Sequence, residues 1–404
     1  MKDRKAILAE AEAMKDWLVR IRRDLHAIPE PGDEEYKTQE YLCKTLEQLG
    51  IPFRKMRTAV VGLVEGAAPG AVVALRADMD ALPVQEPDDR PYRSRHDGYM
   101  HACGHDAHMT VALGAARYFS AHRDDFAGTI KLLFQPAEET TGGAAPMIAD
   151  GCLENPRVDY VLGLHVMPDL QAGMIELKHG ALNGASDFLG IKIKGKGAHA
   201  AYPSTGIDAI MIAAKVVDAL QSVVSRNVSP LEEAVITVGT INGGQRNNII
   251  ADEVYMTGTI RTTSPDVRSR IAQRVNSIVE NIPAALGGSG EAEIRPGYTA
   301  LINHKAVVDL VEKEAKALFG DKNVLWREKP SLGVEDFAFF LQERPGAFYH
   351  LGCGNGEKGI RAPLHSKLFD IDERCLPVGV ALQISAALGL LKEEIGRASC
   401  RERV

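Results

Sequence analysis

The chain has 404 residues, 45% of them hydrophobic and 25% charged, a composition that suits a globular protein of two domains. Its formal charge of −7 and the absence of a basic stripe argue against a nucleic-acid partner. No apolar run approaches the roughly 18 residues needed to cross a bilayer, and the first ten residues alternate charges without a hydrophobic signal core, so neither a membrane segment nor secretion is expected.

Leu8, Met14, Leu18, Ile21 and Leu25 recur at helical spacing, and residues 41–49 make a second helix that Gly50 stops. Residues 71–77 read as a buried strand running into Asp78 and Asp80; residues 106–119 follow as a helix, then 128–134 and 158–164 as strands. This alternation predicts an α/β fold, a mostly parallel sheet sandwiched by helices, whose ligands bind at the carboxyl ends of the strands. From about residue 183 the pattern changes. Leu189, Ile191 and Ile193 alternate with polar residues, 206–224 and 267–282 look helical, 234–241 and 253–261 look like strands, and 285–290 reads as a flexible connection. That is a βαββα-like unit, consistent with an inserted α+β domain. After about residue 296 the α/β pattern resumes, with a helix over 306–318, a strand over 347–352 and a long helix over 374–391. The division expected is a discontinuous catalytic domain, 1–182 with 297–395, interrupted by a domain over 183–296. Residues 396–404 break the preceding apolar period and read as a tail outside the fold, taking Cys400 with them. The six cysteines, at 43, 103, 152, 353, 375 and 400, show no Cys-x-x-Cys spacing, which reads as reduced thiols in a cytoplasm.

Chemistry concentrates in a few stretches. Met100-His-Ala-Cys-Gly-His-Asp-Ala-His-Met109 packs a thiol, three imidazoles and a carboxylate into eight residues, and the glycine between Cys103 and His105 lets a bent backbone turn both onto one ion. Glu138 and Glu139 follow the apolar run 130–134, at the sheet's carboxyl edge, so one carboxylate can bind metal while the other takes a proton from water. His165 ends the run 161–164, His365 lies in a loop some 200 residues later, and His199 follows a glycine-rich bend in the inserted domain. Each histidine alone would pass as a buried or turn residue. Together they point to a metal-dependent hydrolase.

The ordered motifs Leu75-Arg-Ala-Asp-Met-Asp-Ala-Leu-Pro83, Met100-His-Ala-Cys-Gly-His-Asp106, Phe134-Gln-Pro-Ala-Glu-Glu139, Gly163-Leu-His165, Gly195-Lys-Gly-Ala-His199, Gly333-Val-Glu-Asp-Phe337 and Leu364-His-Ser366 resemble the zinc-type aminoacylase and carboxypeptidase family. The closest likeness is to its amidohydrolase branch: hippurate hydrolases, N-acyl-L-amino-acid amidohydrolases and plant auxin-conjugate hydrolases. The resemblance implies two divalent metal ions bound by Cys103, His105, Glu139, His165 and His365, with the thiolate bridging and Glu138 as general base and then acid. It implies a homodimer through the inserted domain, which also serves as a lid, with His199 reaching the partner's site to stabilise the oxyanion. Asn248 and Arg261 match positions that hold a substrate carboxylate. The wider family has His-x-Asp ligands where this chain has Asp78-Met-Asp80, so those two are expected to orient ligands instead. Residues 140–144 are less glycine-rich than is usual for the branch, and His101, Asp106 and His108, which flank the ligands, are expected to support those ligands or cap a helix. The metal implied is zinc or manganese, with cobalt or nickel also compatible, and the substrate a small N-acyl amino acid. Two other readings stay open: a non-catalytic metal-binding homologue, and a hydrolase using Cys103 as nucleophile.

Overall fold

The computed structural model describes residues 3–88 and 90–392; the tail proposed at 396–404 lies outside them. The chain divides into two compact units. Of the described residues, the first joins those within 3–180, 303–328 and 339–392, and the second joins 181–302 and 329–338. Residues 329–338, which the sequence reading grouped with the catalytic block, belong to the second unit. There the Ser331 N–H donates to Leu182 O and the Gly184 N–H to Gly333 O.

The first unit is built on an eight-stranded sheet. In spatial order its strands are Phe53–Met56, Ala59–Glu65, Ala127–Gln135, Ala68–Asp78, Tyr160–Gln171, Gly346–Gly354, Ile175–Leu177 and Val324–Trp326. The four central strands are mutually parallel, and antiparallel pairings lie towards both edges. The central strands are apolar on both faces because helices cover both. The Tyr160 strand runs seven residues past the expected 164, and the hairpin 53–65 was not anticipated.

Two helices form the middle of this unit. His105–Ala121 is rich in Ala and Gly and buried nearly all round, so it is a core helix and not an amphipathic surface one. It crosses Cys375–Lys392 closely: a Cβ at Gly114 would overlap Val380. Cys375–Lys392 corrects one expectation. At 18 residues with a mean hydropathy of 1.6, it is long and apolar enough to cross a membrane, although Gln383 and Ser385 hide this from a scan for unbroken apolar runs. Here it is packed inside the protein core.

The second unit is a four-stranded antiparallel sheet in the order Ala234–Gly243, Glu253–Thr262, Ala185–Lys194, Ser289–Pro296, with two helices. Its core comes from one face of the strands (Leu189, Ile191, Ile193, Val254, Met256) and one stripe of each helix (Ile212, Val216, Leu220; Val267, Ile271, Val275). Asp208 and Ser264 cap those helices, accepting from Ile210 N–H and Val267 N–H. The segment expected to be flexible at 285–290 instead leads into the strand Ser289–Pro296. Its charged alternation hides a strand that pairs along one side only.

Candidate metal centre

The first unit's polar clusters meet at the carboxyl ends of its central strands. Gly104 has a left-handed backbone (φ +86) and precedes the His105 helix; a Cβ there would collide with Val166, so only glycine makes the bend that turns Cys103 and His105 the same way. Cys103 Sγ lies 3.3 Å from His165 Nε2. His165 Nδ1 is 2.8 Å from Val166 O, which fixes a donor there and leaves the Nε2 lone pair facing the thiol. His365, itself left-handed at φ +65, is tied to the Cys103 loop by its N–H donating to Ala102 O, and its Nε2 lies 3.0 Å from Glu139 Oε1. Cys103, His105 and His165 thus form one group with donor atoms within 4.8 Å, and Cys103, Glu139 and His365 a second; His105, Glu138 and Glu139 form a third. All five sequence-picked donors and Glu138 come together in the first unit.

Their supports are equally specific. Asp80 accepts from the Glu138 and Glu139 N–H groups at 3.1 and 2.9 Å, and lies 3.3 Å from His105 Nδ1. Asp78 is held by Arg76 Nη1 and by His108 Nδ1, each at 2.6 Å, and Arg76 Nε donates to Gln135. His108 Nε2 in turn accepts from Val166 N–H, so both its ring nitrogens are engaged and it has no lone pair for an ion. Asp106, one residue past His105, accepts from Arg22 Nε at 2.8 Å and pairs with His26 Nδ1 at 2.7 Å; His26 Nε2 reaches Glu86. Arg22, His26, Glu86 and Arg76 were missed from sequence. The one available signal was Arg22 lying among the apolar residues Leu18, Ile21 and Leu25 that mark the buried stripe of its helix.

The electrostatics fit cations. His105 is 1% exposed, and carboxylates face both of its ring nitrogens: Asp80 lies 3.3 Å from Nδ1, and Asp78 and Glu139 lie 3.8 and 4.0 Å from Nε2. Burial and the neighbouring Glu139 and Glu138 push the Cys103 thiol well above its usual range. Burial lowers His165 well below the usual histidine range, whereas Asp78, Asp80 and Glu139 overcome burial to raise His105 to about 10. Burial raises the Glu139 carboxyl, but His365 and His105 outweigh it and bring it to about 2. A buried thiol among carboxylates becomes a thiolate when a divalent cation sits beside it. The same surroundings disfavour the nucleophile reading: Cys103 keeps its proton and His165 is a poor base.

The remaining picks lie in the second unit. His199 is exposed; its Nδ1 accepts from Ala201 N–H, leaving Nε2–H as a donor. Its strand residue pairs with Ile249, next to Asn248, whose carbonyl accepts from Ala200 N–H. Arg261 pairs with Ser186 and Val235 near the far end of the Glu253–Thr262 strand, about 30 Å from Asp252 at ~3.3 Å per residue. One copy of this unit therefore does not bring Asn248 and Arg261 to the same carboxylate.

Residues 74–388 match the peptidase family M20/M25/M40. The chain belongs to this family. It is 41% identical over 365 residues to an N-acetyl-L-cysteine deacetylase of Bacillus subtilis, covering 90% of this chain and 85% of that one. It is 38% identical over 393 residues to the Arabidopsis thaliana IAA-amino acid hydrolase ILR1-like 4, covering 96% and 88%. The crystal structure of the B. subtilis protein YXEP, described as a dinuclear metal-binding peptidase of the M20 family, superposes with a TM-score of 0.83 at 31% identity, covering 94% of this chain and 99% of that one. The chain is thus a metal-dependent amidohydrolase with the M20 α/β fold, and the non-catalytic reading falls away.

Proposed function

We propose that this M20 enzyme hydrolyses the amide bond of N-acyl-L-amino acids, releasing a carboxylic acid and a free amino acid. The observation that carries this reading is the gathering of Cys103, His105, Glu139, His165 and His365 in overlapping groups that share Cys103, His105 and Glu139, with Glu138 beside His105. The names of the two relatives, an N-acetyl-L-cysteine deacetylase and an IAA-amino acid hydrolase, support the substrate class.

In this reading the five side chains hold two divalent cations, zinc or manganese best matching a thiolate, imidazole and carboxylate set, with cobalt or nickel accepted. When bound, the cations supply Lewis acidity to the scissile carbonyl and to the attacking water. Glu138 takes the water's proton and returns it to the leaving nitrogen. His199 of the partner subunit donates Nε2–H to the developing oxyanion. Asn248 and Arg261 receive the substrate carboxylate, one from each subunit, since a single second unit keeps them apart. Asp78 and Asp80 orient the donors.

A homodimer through the second unit is supported by the Ala234–Gly243 strand, which ends that sheet with exposed residues, and by exposed Ile210, Met211, Ile241, Ile249 and Tyr255. We assign the catalytic domain to the first unit, and a dimerisation and lid role to the second. We place the enzyme in the cytoplasm, where the free thiols at 43, 103, 152, 353 and 375 persist.

The test is a panel of N-acetyl and N-benzoyl amino acids assayed with chelated enzyme and after adding back zinc or manganese. Chelation abolishes activity and metal restores it; Glu138→Ala binds metal but loses nearly all turnover. Hydrolysis that survives complete chelation, or an active Glu138→Ala enzyme, overturns the reading.

A further inference from the structure

Three consecutive backbone amides in the Glu138 loop are gripped by two buried carboxylates. Asp80 takes the N–H groups of Glu138 and Glu139. The preceding amide, Ala137 N–H, donates to Glu35 Oε1 at 2.9 Å. Ala137 has a left-handed backbone (φ +57), which a residue with a Cβ adopts only against a steric penalty. Some outside contact must therefore hold it there.

Glu35 is an odd residue to find in this place. It is the N-cap of the helix Tyr36–Gln48, where a short side chain normally turns back to accept a helix N–H, yet Glu35 makes no capping hydrogen bond. Instead the fully buried carboxylate points away from its own helix to Ala137, 102 residues further along the chain. Burying an acid is costly, so its use here marks a specific demand. The loop carrying it fits tightly against the Glu138 loop. A Cβ at Gly32 would lie 2.9 Å from Ala137 Cα and collide with Thr140, and one at Gly143 would collide with Pro136 O.

We propose that Glu35 is a positioning residue for the metal centre: it holds the left-handed turn at Ala137 from which the adjacent Glu138 and Glu139 carboxylates both reach the donor set at His105. With the turn in place, both carboxylates lie beside His105, and Glu139 also meets Cys103 and His365. Glu35 touches neither reacting atoms nor ions; Thr58 shares a hydrogen bond with its carboxyl, and it acts on the site through the Ala137 amide. The proposal rests on the division of labour between Glu138 and Glu139 given above.

The experiment compares Glu35→Ala, Glu35→Gln, Ala137→Gly and the double variant Glu35→Ala/Ala137→Gly. Each is read for kcat and KM separately, for zinc affinity by competition with a fluorescent chelator, and for thermal stability of the metal-free protein. Glu35→Ala is expected to lower kcat and weaken zinc binding by about 10–100-fold each, the range for residues that orient ligands, with KM within about threefold. Glu35→Gln keeps an acceptor oxygen and stays within about fivefold of wild type. Because glycine adopts the left-handed turn without penalty, the double variant recovers most of the zinc affinity and kcat. A purely structural role would leave the double variant as impaired as Glu35→Ala, and that result overturns the proposal. Wild-type kcat and zinc affinity in Glu35→Ala overturn it too. If Glu35→Ala does not fold, the glutamine and double variants decide by the same criteria. Glu138→Ala is run alongside. Activity in that variant sinks the base assignment, while zinc affinity in the Glu35 series, which reports on Glu139, still judges the proposal.

Discussion

Replacing Arg22 by methionine isolates the buried charge network behind the metal centre. The Arg22 side chain is fully buried, its Nε 2.8 Å from Asp106, its Nη2 3.2 Å from Asp370 and its Nη1 3.6 Å from Glu373. Burial alone would raise the Asp106 carboxyl, but Arg22 and His26 hold it well below the usual carboxylate range. Asp370 and Glu373 keep other partners, Tyr92 and Arg23. The loss therefore falls on Asp106, left in the core with His26 and the Ala107 N–H but without its guanidinium partner. Breaking a buried pair this way costs about 3–5 kcal/mol. At roughly 2 °C per kcal/mol for a unit this large, the melting temperature drops by about 6–10 °C. Calorimetry on metal-free protein measures it without a contribution from bound ions. The double variant Arg22→Met/Asp106→Leu removes both charges and recovers at least about half of the loss. Lys44→Ala, which breaks an exposed 2.6 Å pair with Glu40, shifts melting by about 1 °C or less. An Arg22→Met protein melting within about 2 °C of wild type, or a double variant as unstable as the single, would refute the reasoning.

Lys131 is 1% exposed, its Nζ donating to Glu154 O and Pro156 O, and burial lowers its pKa from 10.5 to about 8. Between those values the unfolded chain binds the extra proton, so stability from this group rises with pH; relative to Lys131→Met, wild type gains at most about 3 kcal/mol across that window in urea titrations, and a pH-independent difference rules this out. Mixing inactive His199→Ala with inactive Glu138→Ala protein restores partial activity through hybrid dimers; no recovery, once subunit exchange is shown by mass spectrometry, counts against donation across the interface.

The site's local chemistry was legible because its motifs are short. Cys103-Gly104-His105 and Glu138-Glu139 declare themselves by residue type and by lying at the ends of apolar runs. The parallel sheet was legible from the alternation of strand and helix patterns. What sequence could not give is the partner of a lone polar residue. Arg22, His26 and Glu35 sit on ordinary helices or helix ends, and their meaning lies in contacts 80 to 102 residues away. The strand Ser289–Pro296 was missed for a related reason: it is charged at alternate positions and gains its order from pairing with residues 187–194.

The order in which the ribosome delivers this polypeptide carries a further consequence. Unit two is contiguous apart from residues 329–338, so nearly all of it emerges before the first unit can finish. The Gly346–Gly354 strand, the His365 loop and the Cys375–Lys392 helix, which fills the middle of the first unit, come last. Until they dock, Cys103 lacks its neighbour His365. Because His365 lies beyond the Gly346–Gly354 strand in the chain, the donor set is complete only once that late part of the first unit has docked.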